Sequence, residues 1–187
     1  MNSCTDKWSG QFGDEYLQRN RVNWRKRIPF WERIMNITGA RSVHEIGCNA
    51  GWNLSAIKRV CPDVRVTGSD INNRALMQAR NAGLDCNLFK YANQEMVFTS
   101  GVLIHIPSDE LQSMMEEIVS LSTDYVLAIE YYAEHEEEVT YRGNTGMLWK
   151  RPYGELYQSL GLELVIFGSL SEADGFDNCR YWLLRRK

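Results

Sequence analysis

Glu45-Ile46-Gly47-Cys48-Asn49-Ala50-Gly51 places an acid just ahead of a turn whose glycines lie four residues apart, and an apolar helix-like run follows from Leu54 to Val60. A strand-like run, Arg41-Ser42-Val43-His44, precedes it. Glycine lets the backbone bend sharply and approach a ligand closely. The N-terminus of a helix offers unpaired N–H groups to an anion. The acid two residues before the first glycine suits an ammonium group, so the stretch fits a ligand bearing both an ammonium and a carboxylate. A dinucleotide site is the nearest competitor, with a G-x-G-x-x-G turn that brings backbone against a pyrophosphate. Counting from Gly47, its second glycine position holds Asn49 and its third holds Trp52. An indole there obstructs close helix–strand packing. An ordinary strand–turn–helix corner is the plain alternative.

S-adenosylmethionine (SAM) carries an ammonium group and NAD does not. SAM is therefore the ligand expected on Glu45, Gly47, Cys48, Asn49 and Gly51, with Asn53 and Leu54 just beyond. In an open α/β sheet a ligand lies across the carboxyl ends of the strands, a rule that selects further residues. Asp70 ends the run Val64 to Ser69, nineteen residues past Gly51, with Ile71 and Asn72 behind it. A carboxylate there can accept both ribose hydroxyls, which does not separate SAM from NAD; its structural use would be as an acid in a helix N-terminus.

The run Thr99 to Pro107 puts Ser100, Gly101 and Val102 where a methyl donor would sit. His105 could act as a general base, because an imidazole titrates near working pH, or it could be a packed histidine with a satisfied ring nitrogen. Glu130 is the other candidate base. The stretch has no Asn-Pro-Pro-Tyr clamp and no Pro-Cys pair, which argues against amino-directed nucleic-acid methylation and cytosine-C5 chemistry. The connection 130–151 holds Tyr131, Tyr132, Tyr141, Arg142, Lys150 and Arg151. Cations beside tyrosines suit a phosphorylated or carboxylated substrate, and loops on this face of a rigid scaffold carry function. Arg142 and Lys150 could instead pair with the acidic run Glu134 to Glu138.

The elements that must position these groups follow from periodicity. Leu17, Trp24, Ile28, Trp31 and Met35 predict a helical segment over 14–37, divided or kinked at Pro29 and ended by Gly39. Strands are expected near 41–46, 64–69, 84–89, 96–99, 125–130, 162–167 and 180–185. Helices are expected over 52–60, over 73–82 after an Asn72 cap, after a Ser108 cap, and over 152–160. Leu111, Met114, Met115, Ile118 and Leu121 form the buried stripe of the third of these. Strands alternating with helices give an α/β fold: a mostly parallel, Rossmann-like sheet with helices on both faces.

A chain of 187 residues is one domain by the usual prior: a helical lid over 1–39 and a core over 40–187. A net charge of −3 gives no global pull toward nucleic acid. The local cluster Arg19, Arg21, Arg25, Lys26 and Arg27 is either a solvated basic face or a contact for an anionic substrate or for the SAM carboxylate. No apolar run reaches the about eighteen residues of a membrane span. The N-terminus shows no apolar signal core. Five cysteines without C-x-x-C spacing fit free thiols in the cytoplasm. The three scattered histidines give no metal-ligand cluster.

These residues together resemble the class I SAM-dependent methyltransferases, over about 41–130, and within them the pseudaminic acid biosynthesis-associated methylase family. The narrower resemblance extends through Phe12 to Asn20, Phe98 to Pro107, Ile129 to Tyr132, Tyr141-Arg142-Gly143, Lys150-Arg151 and the tail Phe176 to Lys187. It implies that Tyr16, Arg19 and Asn20 close over SAM, and that the substrate is a nucleotide sugar or other small glycan precursor. Two departures stand out. Asn49 replaces the usual middle glycine, and asparagine tolerates positive φ better than most residues. The stretch Tyr91 to Glu95 before the fourth strand is short.

Overall fold

The structure is a computed structural model and describes residues 4–187. In chain order it runs through α1 (Cys4–Ser9), α2 (Gln11–Arg19), a 3-10 turn (Trp24–Arg27), α3 (Ile28–Thr38), β1 (Ser42–Ile46), α4 (Trp52–Val60), β2 (Arg65–Ser69), α5 (Asn73–Asn81), β3 (Asp85–Asn87) and β4 (Gln94–Ser100). A second 3-10 turn (Leu103–His105) leads to α6 (Ser108–Leu121), β5 (Ser122–Glu130), the short strands β6 (Glu137–Glu138) and β7 (Trp149–Lys150), α7 (Tyr153–Ser159), β8 (Glu163–Leu170), a third 3-10 turn (Glu172–Asp174) and β9 (Cys179–Arg185).

Seven strands form one sheet in the order β3-β2-β1-β4-β5-β9-β8. The pairs from β3 to β5 are parallel, whereas β9 is antiparallel to both β5 and β8. β9 is thus inserted in reverse between two strands that share a direction. β6 and β7 form a separate hairpin inside the 131–151 connection.

Alternation along the strands supplies two cores. Phe98, Leu127, Ile129 and Leu183 face α3, α4 and α5, while Val97, Val126, Ala128 and Leu184 face α6 and α7. Neighbouring residues such as Val97 and Phe98 are both fully buried, as expected of strands covered on two faces. Each such side chain contributes roughly 1.5–3 kcal/mol relative to exposure. Among the described residues no helix is long and apolar enough to cross a membrane, and no group of three or more His, Cys, Asp or Glu could hold a metal ion.

The N-terminal segment departs from the expected division or kink at Pro29. Pro29 lies in the first turn of α3, where its missing N–H has no helical partner to lose. The break falls earlier, between Arg19 and Trp24. Trp31 and Ile34 are fully buried, so α3 is a core helix, whereas α1 and α2 lie over the sheet's carboxyl end. Ser108 makes no cap hydrogen bond; its hydroxyl donates to Glu136 at 2.7 Å.

Candidate active site

The Gly47–Gly51 turn hugs the ends of β1 and β2. The N–H groups of Gly47 and Cys48 donate to the Ser69 carbonyl at 2.7 and 2.9 Å. Gly47, Asn49 and Gly51 have φ of 72°, 47° and 76°. A Cβ on Gly47 would meet Val102 Cγ2 at 2.3 Å, and one on Gly51 would meet Leu84 Cδ1 at 2.2 Å. Asn49 takes its left-handed conformation with its side-chain oxygen accepting from the Ala50 N–H at 2.7 Å. The Asp70 carboxylate fastens the turn from below, accepting from the N–H of Asn49 at 2.8 Å and of Asn72 at 2.8 Å.

Over this turn lies a cleft of two lobes, each of about 570 Å³. Tyr16, Gly47, Asn49, Ser100, Gly101 and His105 line both lobes and mark where they meet. One lobe runs past Asp70, Ile71, Asn72, Leu88 and Val102. The other runs past Glu45, Cys48, Asn53, Arg19, Asn20, Arg27, Tyr131, Tyr141 and Arg142. α1 and α2 cover the first from above: the Trp8 ring packs 4.5 Å from His105, and Asn72 Nδ2 donates to the Trp8 carbonyl at 3.3 Å and to Asp14 at 3.0 Å. Asn72 also caps α5, accepting from the Ala75 N–H at 2.9 Å.

Glu45 is the deepest charged group here. Its Oε1 accepts from Asn53 Nδ2 at 2.7 Å. Its Oε2 is buried with no hydrogen-bond partner among the described residues. Burial pushes the Glu45 carboxyl well above the usual carboxylate range, against the pull of the Asn53 hydrogen bond and the Arg27 charge. Burial likewise raises Asp70, opposed by its backbone donors, and pushes the Tyr16 phenol up to about 12.

Of the two candidate bases, His105 lines the cleft where the lobes meet. Its Nδ1 lies 2.6 Å from the Met147 carbonyl, so that nitrogen carries the proton. Burial lowers its pKa to about 4, and the ring stays neutral at working pH. Glu130 lies outside both lobes and is fully buried. It accepts from the N–H groups of Val102 and Leu103 at 3.2 Å and of Ile104 at 3.4 Å. Its position is that of a clamp shaping the turn after β4.

The expected substrate cations separate. Arg142 sits at the tip of the Tyr141–Asn144 turn with φ of 50°, exposed at the cleft and in no salt bridge among the described residues. Lys150 pairs with Glu137 at 3.7 Å. Arg151 is 1% exposed and bonds Glu136 at 2.6 Å and the Leu103 carbonyl at 3.2 Å, so it braces the connection from inside. Tyr132 lies outside both lobes, under the Arg180 guanidinium at 3.6 Å. Leu54 is fully buried in the core. Gly51 shapes the turn without lining either lobe. Tyr131 does line the cleft, and its hydroxyl donates to Asp177 at 2.8 Å.

Sequence reasoning placed Arg27 only within a basic cluster and gave no site role to Trp8 or to the loop from Glu172 to Asp177. Arg27 and Trp31 stand four residues apart, the spacing that puts side chains on one helical face, and both reach Asn53. That spacing was the available signal. Nothing in the local sequence ties the 172–177 loop, at the far end of the chain, to the Trp24–Arg27 turn, from which Lys26 and Arg27 donate to the Glu172 and Gly175 carbonyls.

No family model matches the chain, and no curated protein matches it. Solved structures do. Magnesium protoporphyrin IX methyltransferase from Synechocystis, crystallised with S-adenosylhomocysteine, superposes with a TM-score of 0.73 over 98% of each chain at 15% identity. A 1,6-didemethyltoxoflavin N1-methyltransferase from Burkholderia thailandensis gives 0.71 over 98% of this chain and 87% of its own, at 12% identity. The sugar N-methyltransferase KedS8 from Streptoalloteichus gives 0.68 over 95% and 94%, at 12% identity. The fold is therefore the Rossmann-like fold of the SAM-dependent methyltransferases.

Proposed function

We propose that the chain transfers a methyl group from SAM to an oxygen or nitrogen of a small, anionic, sugar-like acceptor. The observation that carries the cofactor reading is Glu45 Oε2, a buried carboxylate oxygen without a partner at the wall of a cleft. The turn beside it leaves no room for a side chain at Gly47. An ammonium group would satisfy that oxygen, and a ribose would lie against Asp70 in the other lobe. The residues present therefore fit SAM. Bound there, SAM would supply a methyl group already activated by its sulfonium.

What remains for the protein is alignment and exclusion of water. Ser100 and Gly101, at the junction of the lobes, keep that junction narrow and free of bulk. Trp8 and Tyr141 pack against His105, with ring centroids 4.5 and 5.4 Å away. His105, neutral and oriented by Met147 through Nδ1, lines the junction and offers little basicity. The acceptor would occupy the lobe bearing Tyr131, Tyr141 and Arg142. Arg19, Arg21 and Lys26 also line that lobe, which favours a phosphate or carboxylate on the acceptor. The narrower assignment to a glycan precursor rests on the Glu15-Tyr16 to Asn20, Gly101 to Ile106 and Tyr141-Arg142-Gly143 motifs. KedS8, a sugar N-methyltransferase of the same fold, is compatible with it.

Calorimetry tests the cofactor: SAM or S-adenosylhomocysteine should bind and NAD should give no comparable signal. Preference for NAD would sink the reading. Mass spectrometry of small anionic metabolites incubated with protein and methyl-labelled SAM tests the acceptor.

A further inference from the structure

Arg27 is a buried cation at the wall of the cleft. Its Nη1 donates to Asn53 Oδ1 at 2.9 Å and its Nε donates to the Gly175 carbonyl at 2.8 Å. The guanidinium also stacks 4.2 Å from the Phe176 ring centroid. Trp31 Nε1 donates to the same Asn53 oxygen at 3.2 Å. An arginine and an indole can only donate, so the Asn53 amide has one possible orientation: oxygen toward Arg27 and Trp31, nitrogen toward Glu45. That nitrogen in turn can only donate, so Glu45 Oε1 must accept. Polarity is thus fixed along a chain from Arg27 to Glu45, and Oε2 is the atom left over at the cleft wall.

We propose that Arg27 is a positioning residue for the cofactor's amino group: through Asn53 it orients the Glu45 carboxyl and favours its charged form, with Oε2 presented as the acceptor. The proposal rests on the reading that the cleft holds SAM. A carboxyl buried this deeply tends to keep its proton. The groups facing Glu45 divide clearly. Burial raises it, with Cys86 and Asp70 adding to the rise, while Asn53 and Arg27 oppose them. Arg27 is the one full positive charge among them. Without it, Glu45 would hold its proton to higher pH and meet a cationic ammonium as a neutral acid.

The test measures the affinity of S-adenosylhomocysteine by calorimetry over about pH 5 to 8, in wild type and in R27M. 5′-Methylthioadenosine, which lacks the amino-acid part, is the control ligand. Wild-type affinity for S-adenosylhomocysteine should rise with pH as Glu45 ionises. In R27M that rise should move to higher pH, so that affinity falls about tenfold near the acid end, the equivalent of one pKa unit, with the gap narrowing toward pH 8. Binding of 5′-methylthioadenosine should stay unchanged. R27Q, which keeps a donor for Asn53 but no charge, should shift the profile the same way and serves if R27M fails to fold. Equal losses for both ligands would make Arg27 merely structural. A uniform loss of S-adenosylhomocysteine binding with no pH shift would mean that Arg27 touches the ligand directly. An unchanged profile would leave Glu45 independent of Arg27. Each of these three overturns the proposal, whereas failure of wild type to bind either ligand would overturn the cofactor reading instead.

Discussion

Gly47 is the residue whose constraint is easiest to isolate. It combines a φ of 72° with a Cβ position 2.3 Å from Val102 Cγ2. Gly47→Ala should cost about 1–3 kcal/mol of stability from overpacking alone, and it should displace the turn that borders both lobes. Chemical denaturation and S-adenosylhomocysteine calorimetry should therefore both register the change; a stable variant with normal affinity would show that the turn tolerates a side chain. Glu130 is a different case. Burial raises its carboxyl from 4.5 to about 7 in the fold. Between those values the folded chain keeps a proton that the unfolded chain has released, so the contribution to stability falls as pH rises through the window. Gln cannot titrate. The stability of wild type relative to E130Q should accordingly decline from about pH 5 to about pH 8. A gap that stayed flat over that range would show Glu130 already ionised by about pH 5. The sequence could mark Glu130 as an acid at a strand end, but not that three backbone N–H groups from Val102 to Ile104 would claim it, because those contacts depend on how the chain turns after β4.

At the scale of elements, α1 and α2 cover the cleft as the proposed lid, and α3 belongs to the core. The expected boundary at residue 39 merged the two because Leu17, Trp24, Ile28, Trp31 and Met35 keep one apolar period across both. Periodicity reports a common apolar face, and it cannot tell one helix from two packed at different places. The break lies in Asn20 to Asn23, where the C-cap Asn20 leaves helical geometry at ψ of 70°. The Gly47–Gly51 corner, β2 and the Asn72-capped α5 were legible, since glycine, asparagine and proline act locally. The place of β9 was not, because the partner of a strand is set by the whole sheet. Trp8 gives the lid its test. It packs on His105, Phe12 and Tyr16, with centroids 4.5, 5.1 and 5.1 Å away. Trp8→Ala should weaken S-adenosylhomocysteine binding about tenfold, roughly 1.4 kcal/mol, while the thermal midpoint stays close to wild type, because the sheet and α3 do not depend on the lid. A large drop in thermal midpoint would return the lid to the core.

Over the whole molecule, charge is sorted by position more than by amount. A net charge of −3 conceals a lobe lined by Arg19, Arg21, Lys26, Arg27 and Arg142. These cations come from two distant stretches of chain, which is why the sequence shows two loops where the fold makes one wall. The cations of the 130–151 connection were expected to work together, or else to pair with the Glu134 to Glu138 run. The structure divides them. Lys150 and Arg151 pair with Glu137 and Glu136, which leaves Arg142 at the cleft with its guanidinium 5.8 Å from the centre of the Tyr141 ring. The two kinds of position predict different losses. Arg142→Ala should reduce kcat/KM for the true acceptor by about tenfold to a hundredfold, as expected for one charge-assisted contact of roughly 1.5–3 kcal/mol, with SAM affinity and thermal stability near wild type. Arg151→Ala should do the reverse: removing a guanidinium that is 1% exposed strips partners from Glu136 and from the Leu103 carbonyl, so the thermal midpoint should fall before any kinetic parameter can be read as specific. Lys150→Ala, at a half-exposed pair, should change neither by much. Measuring all three side by side places the acceptor. If Arg142→Ala turns over normally while Arg19→Ala or Arg21→Ala does not, the acceptor's anion lies against the lid rather than against the Tyr141 turn.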